Sequence, residues 1–408
     1  MSIVALWAAL GARPAAAAEI PVGTGLAKSR EAIGQIEAAR DPAAKGDAAF
    51  TLTELMTEHH TPALSVAVVR DYRLLWAKAY GVADEQAGLT ANVETLFQAA
   101  SISKPVSAMA VLKAVQDGHL GLDEDINTLL ESWKLERSQE YLEKTAVTPR
   151  MLLSMTAGTT VSGFPGYLPT DPMPTLPQIL GDGSGNETPA NTDPVIVDWQ
   201  PATKEAYSGG GSTILQLAMI DVLDRPFPEI IAKGILEPLG MANSCICQPL
   251  PTALDRNAAR AYGSRVRKQR EEGGHDAKWH VYPEHYAAGL WTTPTDLAKF
   301  MIEVQLSLAG RSDRVLRREM TEKMVTPSGI GSYALGFTVG SESPHRPAKP
   351  GERNRFFGHT GGNWGFRSNL DAHLEGGNGF IIMANSGESN PILFAELPRR
   401  IRAAYGWD

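Results

Sequence analysis

Cysteine is scarce in this 408-residue sequence, and basic residues are not in excess. Cys245 and Cys247 are separated by one residue, a spacing that normally strains a disulfide, so we expect two small buried side chains rather than a disulfide or a metal site. The 38 Lys and Arg against 46 Asp and Glu give a net charge of −8. The one basic run, residues 265–270, is followed at once by two glutamates. These features disfavour a nucleic-acid partner.

Long apolar stretches are also missing, so no segment predicts a membrane-spanning helix. The apolar stretch Ile3–Leu10 is too short for one, and it leads into small residues that end at Ala18. This pattern resembles a signal peptide with an A-x-A cleavage site before Glu19, although no Lys or Arg precedes it. The alternative is an Ala-rich tail without a targeting role. We expect residues 1–18 to be a signal peptide and the protein to be periplasmic or secreted, without stable membrane insertion.

Two common kinds of hydrolytic site are absent from the sequence. A Ser-His-Asp hydrolase of the α/β type needs a G-x-S-x-G elbow, and GDGSGN at 181–186 does not supply that spacing. No H-E-x-x-H motif occurs, and His275, His280 and His285 are five residues apart, which does not place them on one helix face. We therefore expect no metal and no cofactor.

Hydrophobic periodicity predicts strands near both ends of the chain and helices between them. A polar turn at 70–73 separates two apolar runs, 63–69 and 74–80, and predicts an antiparallel hairpin. Two polar stretches, 163–205 and 264–281, are expected to be surface loops, the second a loop or hairpin. Further strands are predicted over 333–340, 366–374 and 379–385. Helices are predicted within 25–60 and over 101–118, 212–223, 296–308 and 398–405.

This arrangement predicts an α/β (α+β) fold. Its antiparallel sheet would be flanked by helices and assembled from both chain ends, and a mostly helical insertion would separate the two sheet portions.

The first segment with catalytic character is Ser101-Ile102-Ser103-Lys104 at the start of a predicted helix. Positions i and i+3 share one helix face, so Lys104 can reach the Ser101 hydroxyl. A hydroxyl is a poor nucleophile until a neighbouring group takes its proton, and a buried lysine can lose its own proton to do so. Alone, the pattern S-x-x-K is frequent by chance and equally fits a helix cap with a solvated lysine.

Two later Gly-rich segments strengthen this interpretation. Residues 206–212, AYSGGGS, precede a predicted helix and could present Tyr207 at a cleft, or form an ordinary flexible loop. Residues 357–363, FGHTGGN, could let a strand edge lie tight against a bound carbonyl through Gly361 and Gly362, or form a hairpin turn.

The chain resembles the β-lactamase/D,D-peptidase superfamily, in particular its class C-like branch of secreted serine hydrolases. The resemblance runs over most of residues 45–405 and rests on six segments in the family's order: LFQAASISKPVSAMAVLKAVQDGHLGLDEDI, VTPRMLLSMTAGT, PATKEAYSGGG, LEPLGM, AAGLWTTPTDLAKF and GHTGGNWGFRSNL. It implies residues 19–44 as a helical lead-in and 45–408 as the catalytic domain. Sheet portions would lie at about 45–100 and 290–408, and a helical portion at about 101–289.

The resemblance also implies roles for individual residues. Ser101 would be the nucleophile, with Lys104 as its proton partner and Tyr207 as the second group of the general base and acid. The backbone N–H groups of Ser101 and Gly362 would form the oxyanion hole. His359 takes the place of the lysine in the family's K-T-G, and Thr360 and Gly361 match the rest, so the implied catalytic set is Ser101, Lys104, Tyr207 and His359.

The sequence departs from the family's β-lactamases at two of these positions. Gly209 stands where they carry the asparagine of Y-x-N, which contacts the substrate's acyl amide. His359 removes a permanent positive charge that would bind a substrate carboxylate, unless it is protonated or an arginine such as Arg367 substitutes. Asn363 is a second residue that could supply missing contacts.

We therefore expect a serine hydrolase that acts on a small ester, amide or D-amino-acid peptide. The alternatives are a class C-like β-lactamase and a catalytically silent peptidoglycan-binding homologue. The expected partner is a small-molecule or peptide substrate, and we expect a monomer.

Overall fold

The computed structural model describes residues 26–136, 145–181 and 190–407. The predicted signal peptide, residues 1–18, lies outside them. The strands are β1 Ala63–Arg70, β2 Arg73–Asp84, β3 Leu89–Thr90, β4 Phe97–Gln98, β5 Cys245–Ile246, β6 Leu290–Thr292, β7 Thr338–Gly340, β8 Phe356–Asn363, β9 Phe366–His373 and β10 Gly379–Ala384.

Helices precede the sheet and fill the centre of the chain. They are α1 Leu26–Glu37, α2 Leu52–Glu58, α3 Ser103–Gln116, α4 Ile126–Leu129, α5 Pro149–Leu153, α6 Leu176–Leu180, α7 Gly209–Leu223, α8 Phe227–Ile231, α9 Thr252–Asp255, α10 Ser264–Gly273, α11 His285–Ala288, α12 Pro294–Leu308, α13 Arg318–Met324 and α14 Leu397–Tyr405. Short 3-10 helices span Gly46–Ala49 and Ala100–Ile102, and π-helical turns span Ala232–Leu236 and Ile392–Glu396. No helix in the described ranges has the length and apolar character needed to cross a bilayer.

The first hairpin of the chain joins the last strands to form the main sheet. Strands β1 and β2 pair antiparallel around a tight turn in which Asp71 and Tyr72 both have positive φ. Strand β1 also pairs with β10, with Leu64 opposite Ala384. The seven-stranded sheet has the order β3-β2-β1-β10-β9-β8-β7, and its neighbouring strands are antiparallel. The predicted antiparallel sheet, built from both chain ends, is confirmed.

Helices cover both faces of this sheet because β1 alternates its side chains between two apolar layers. Leu64 and Val66 belong to a core cluster that includes residues of α1, α2 and α14. Ala63 and Ala67 belong to the larger cluster, which continues through α12 into the helical portion. There, α3 and α7 are buried along most of their lengths. The buried helix α3 positions the turn that contains Ser101.

Three local predictions were wrong. The first is the surface loop at 163–205, which contains helix α6 and buries Leu180 and Val195 in the larger core cluster. Residues 264–273 form helix α10 rather than a loop or hairpin, although Val266 is its only buried residue in the structure. The helix is held instead by Arg270, whose guanidinium donates hydrogen bonds to the carbonyl oxygens of Ala261 and Ala277. Cys245 and Cys247 are joined in a disulfide, because the chain bends after β5 and brings their Cα atoms to 5.3 Å, within the range that a disulfide spans.

Candidate active site

Ser101 lies in the 3-10 turn Ala100–Ile102, which leads directly into α3. Ala100 has a φ of +50°, a left-handed conformation that costs an alanine roughly 1–2 kcal/mol. The Ser103 hydroxyl holds this turn: it donates to the Ala100 carbonyl oxygen at 2.6 Å and accepts from the Leu290 N–H at 3.0 Å. The buried start of α3 therefore fixes the turn, and Ser101 remains partly exposed.

Lys104 is buried beside this hydroxyl. Its Nζ lies 3.2 Å from Ser101 Oγ and donates a second hydrogen bond to the Ala287 carbonyl oxygen at 2.9 Å. Only 3% of Lys104 is exposed. No carboxylate in the described ranges forms an ion pair with it, so Ser101 and one backbone carbonyl are the groups that orient its amine.

The Ala287 carbonyl belongs to α11, which follows a buried acid, Glu284. Neither carboxylate oxygen of Glu284 has a hydrogen-bond partner within the described part of the chain. Burial raises the pKa of Glu284 to about 8. Gln216 of α7 holds the segment around Glu284 through two hydrogen bonds. Its Nε2 donates to Pro283 O at 3.0 Å, and its Oε1 accepts from the Tyr286 N–H at 2.9 Å. The segment that supports Lys104 is therefore held by Gln216 and includes a buried carboxyl group that is mostly protonated at neutral pH.

Tyr207 covers the Lys104 amine from the solvent side. Its ring centroid lies 4.9 Å from Lys104 Nζ, and 38% of the residue is exposed. The Tyr207 hydroxyl makes no hydrogen bond to Ser101 or Lys104 in the structure. Its ring also packs against Tyr333 and His359, at centroid separations of 6.2 and 6.0 Å. Tyr207 therefore closes one side of the site through its ring.

The Gly-rich start of α7 is tightly packed. Ser208 caps the helix, accepting from the Gly211 N–H at 2.8 Å and donating to Thr160 O at 2.7 Å. A Cβ placed on Gly209 would lie 2.9 Å from the ring of Phe164. The space that an asparagine side chain would need at position 209 is thus partly filled by Phe164, a residue of the 163–205 segment.

His359 lies on β8 and is buried between two hydrogen-bond partners. Its Nε2 is 2.8 Å from the Tyr333 hydroxyl and its Nδ1 is 2.5 Å from the Thr360 carbonyl oxygen. A carbonyl only accepts, so the proton belongs on Nδ1, and Nε2 accepts from Tyr333. Burial, reinforced by the charge of Lys104, lowers the pKa of His359 to about 3. His359 is therefore neutral near pH 7. No sequence signal identified Tyr333, because this contact joins residues 26 positions apart.

The other half of β8 lies against the nucleophile turn. Strand β7 pairs only with Phe356–Gly358, so within the described sheet residues 359–363 have a strand neighbour on the β9 side alone. A Cβ on Gly361 would lie 2.3 Å from the carbonyl oxygen of Ala99. Glycine at this position lets β8 approach the turn before Ser101 closely. The next residue, Gly362, is exposed at the site, and Thr360 is half-buried on the same strand.

Asn363 and Arg367, at the end of β8 and the start of β9, face different surroundings. Asn363 is buried, and its amide nitrogen donates to the Gln98 side chain at 2.8 Å and to Ala288 O at 3.2 Å. Arg367 lines a cavity of about 230 Å³ that also includes Gly362 and Trp364. We call this cavity the Gly362 cleft. The Asn363 amide is thus engaged in contacts within the protein, whereas Arg367 lies at the edge of the cavity.

The structure therefore brings together a serine hydroxyl, a buried amine, a phenol ring and a glycine-lined strand edge. This set can form and hydrolyse an acyl-serine, given backbone N–H groups to stabilise the oxyanion. Within the described ranges, no group of three or more His, Cys, Asp or Glu side chains is placed to hold a metal ion.

Comparison with known proteins decides the family. The sequence model of the Beta-lactamase family matches residues 49–405. This chain belongs to the Beta-lactamase family. The predicted relationship is thereby confirmed, and the family includes serine hydrolases.

Individual relatives have low sequence identity to this chain. An uncharacterized protein of Mycobacterium tuberculosis is 28% identical over 302 residues, which cover 68% of this chain and 73% of that protein. Esterase EstB of Burkholderia gladioli is 35% identical over 118 residues, 28% of this chain and 29% of that protein. The octameric penicillin-binding protein homologue from Pyrococcus abyssi superposes with a TM-score of 0.64 at 22% identity, covering 87% of this chain and 76% of that one. At that identity, the superposition shows a shared fold.

Proposed function

We propose that this member of the Beta-lactamase family is a serine hydrolase that forms an acyl-enzyme on Ser101. Its substrate would be a small ester, amide or D-amino-acid peptide. The observation that carries the proposal is the 3.2 Å contact between Lys104 Nζ and Ser101 Oγ at the start of a buried helix. The similarity to an esterase over part of the chain supports it.

The proposed acylation begins when Ser101 Oγ bonds to the substrate carbonyl carbon and its proton passes to the Lys104 amine. The carbonyl oxygen becomes an oxyanion, for which the backbone N–H groups of Ser101 and Gly362 are the proposed donors. Collapse breaks the bond to the leaving group, which takes the proton from Lys104, either directly or through the Tyr207 hydroxyl, which Lys104 then reprotonates. Water then attacks the acyl-serine by the same steps in reverse order and releases the acid.

His359 has a positioning role in this proposal. As a neutral imidazole it accepts from Tyr333 and packs against Tyr207. It therefore helps to hold the rings of Tyr207 and Tyr333 beside Lys104, and it offers no positive charge to a substrate.

A substrate panel tests the proposal against β-lactam hydrolysis. We expect kcat/KM for nitrocefin to be lower than that for p-nitrophenyl butyrate on the same preparation. Gly209 has no side chain for the acyl amide, His359 is neutral, and the Asn363 amide is engaged elsewhere. Each missing hydrogen bond is worth roughly 1–3 kcal/mol, or about one to two decades in rate. D-Ala-D-Ala peptides complete the panel.

Two outcomes of these measurements would contradict the proposal. A nitrocefin value above the ester value would favour a class C-like β-lactamase. A fluorophosphonate probe should form a single adduct on Ser101, located by peptide mass spectrometry. No adduct, combined with no turnover of any substrate in the panel, would favour a non-catalytic binding protein.

We also propose that the protein acts outside the cytoplasm. The apolar stretch and alanine run before Glu19 support export, as does the Cys245–Cys247 disulfide, since disulfides persist in oxidising compartments. Mass spectrometry of protein isolated from its native host should find a mature chain that begins at Glu19. A chain with residues 1–18 still attached, recovered from the cytosolic fraction, would refute export.

A further inference from the structure

Glu205 joins two segments of the candidate site that are far apart in the sequence. It lies two residues before Tyr207, and its Oε2 accepts hydrogen bonds from the backbone N–H groups of Ser332 and Tyr333, both at 2.7 Å. Glu205 is half-buried, and within the described chain it forms no ion pair. Hydrogen bonds to a charged oxygen are stronger than those to a neutral one. One carboxylate oxygen therefore fixes the backbone at 332–333 to the segment that leads into α7.

Gly331 allows the carboxylate to approach this backbone closely. Its φ is +75°, a left-handed conformation that glycine adopts at little cost. A Cβ on Gly331 would lie 2.6 Å from Cδ of Glu205, a separation that real Cβ atoms do not show. Glycine at position 331 therefore serves both the local turn and the contact with Glu205.

Tyr333 connects this contact to the groups around Lys104. Its hydroxyl donates to His359 Nε2 at 2.8 Å. Its ring packs edge-on against the rings of Tyr207 and His359, with centroids 6.2 and 5.8 Å away. The Tyr207 ring in turn covers the Lys104 amine at 4.9 Å. Glu205 thus holds the backbone of a residue that contacts both Tyr207 and His359.

We propose that Glu205 is a positioning residue for acylation at Ser101. Its carboxylate fixes Tyr333, and Tyr333 keeps the Tyr207 ring over the lysine amine and keeps His359 in its hydrogen bond. Reacting groups tolerate little displacement, since a shift of about 1 Å can cost about 100-fold in rate. This inference rests on the proposed hydrolase function and adds to it a residue that does not touch the reacting atoms.

Four variants test the effect of Glu205 on activity. Glu205→Ala should lower kcat/KM for p-nitrophenyl butyrate by about 100-fold, because the backbone at 331–333 is released. Glu205→Gln should stay within about tenfold of wild type, since its amide oxygen can accept the same two N–H bonds without the charge. Gly331→Ala should resemble Glu205→Ala, because the added methyl group displaces the carboxylate. The control is Glu54→Ala, which should leave kcat/KM unchanged: Glu54 Oε2 accepts the Thr51 N–H at 2.7 Å at the start of α2, outside the site.

The titration of His359 is the second measurement, because a general loss of stability would not change it. The titratable groups that face His359 are Lys104 of α3, Tyr207 before α7, Tyr333 before β7 and His345 after β7. The bond from Tyr333 stabilises the neutral imidazole, and burial with the Lys104 charge lowers the pKa of His359 to about 3. We therefore expect the Cε1–H resonance of His359 in the wild type to stay constant between pH 5 and 8.

Release of Tyr333 should make this resonance titrate. In Glu205→Ala and Gly331→Ala, Nε2 would lose its donor and water would reach the ring. The pKa of His359 should then rise towards its ordinary value of 6.5, so the resonance should shift as the pH falls from 7 to 5. Glu205→Gln and Glu54→Ala should behave like the wild type. His359→Gln assigns the resonance through its loss from the spectrum.

Two results would overturn the role of Glu205. One is a folded Glu205→Ala that keeps wild-type kcat/KM. The other is a loss of activity in Glu205→Ala while the His359 resonance stays constant over this pH range. Gly331→Ala takes the place of Glu205→Ala in both comparisons if the latter does not fold. Because the resonance is measured without substrate, a protein that shows the expected titration but hydrolyses no ester would contradict the hydrolase function and not the connection from Glu205 to His359.

Discussion

Ser101→Ala is expected to lower kcat/KM by about 10⁴-fold or more on every substrate that the wild-type protein hydrolyses. The variant keeps the buried start of α3 but lacks the oxygen that would form the acyl bond, and Lys104 would then have no hydroxyl to deprotonate. Steady-state kinetics with p-nitrophenyl butyrate and with the best substrate of the panel measure the effect.

Ser107→Ala is the matched control for this substitution. Ser107 lies further along α3, is buried, and has a hydroxyl without a hydrogen-bond partner in the described region. Its removal should leave kcat/KM within a few-fold of wild type and should also leave labelling by the fluorophosphonate unchanged. If Ser101→Ala retains most of the wild-type activity in a folded protein, the nucleophile is a different residue.

Glu284→Gln is expected to stabilise the folded protein above neutral pH. The ordinary pKa of a glutamate is 4.5, and burial raises that of Glu284 to about 8 in the folded state. Between these values the folded state holds a proton that the unfolded state has released. The contribution of Glu284 to stability is therefore fully present below pH 4.5 and is lost as the pH rises towards 8. Glutamine has the shape of the neutral acid and avoids this loss, which is on the order of a few kcal/mol.

Chemical denaturation at pH 5, 7 and 8.5 measures the effect as a difference between the two proteins. The free energy of unfolding of the wild type should fall more steeply over this range than that of Glu284→Gln. Glu237→Gln is the control, because Glu237 is paired with Lys233 on the surface at 2.7 Å and exposed ion pairs contribute little to stability. Identical pH profiles for the wild type and Glu284→Gln would show that Glu284 is ionised or solvated in the folded protein.

Local patterns predicted the parts of the fold that local forces determine. The apolar runs on either side of residues 70–73 became the β1–β2 hairpin, and Thr293 caps α12 by accepting from the Asp296 N–H, close to the predicted helix start. Helix α10 was missed because it lacks the apolar stripe that periodicity detects. Its support comes from the Arg270 guanidinium and from carbonyl groups elsewhere in the chain.

In the candidate site, too, some features follow from the local sequence and others depend on distant contacts. The placement of Ser101 and Lys104 follows from their spacing, since three residues make nearly one helical turn. The neutral state of His359 depends on Tyr333 and on burial, and the occupied space at Gly209 depends on Phe164. These contacts join distant segments, so no local pattern in the sequence indicates them.

The pairing of β1 with β10 also constrains how the chain reaches its native state. Ala63 donates to the Asn385 side chain, 322 positions away, at the point where these strands meet. Seven of the eight residues of β1 are buried in the folded protein, so this strand remains an uncovered apolar edge until the last part of the chain has been synthesised. Contacts between such distant segments form slowly, and uncovered strand edges promote aggregation. The nascent chain therefore has a long interval in which a chaperone that binds extended apolar segments can engage β1.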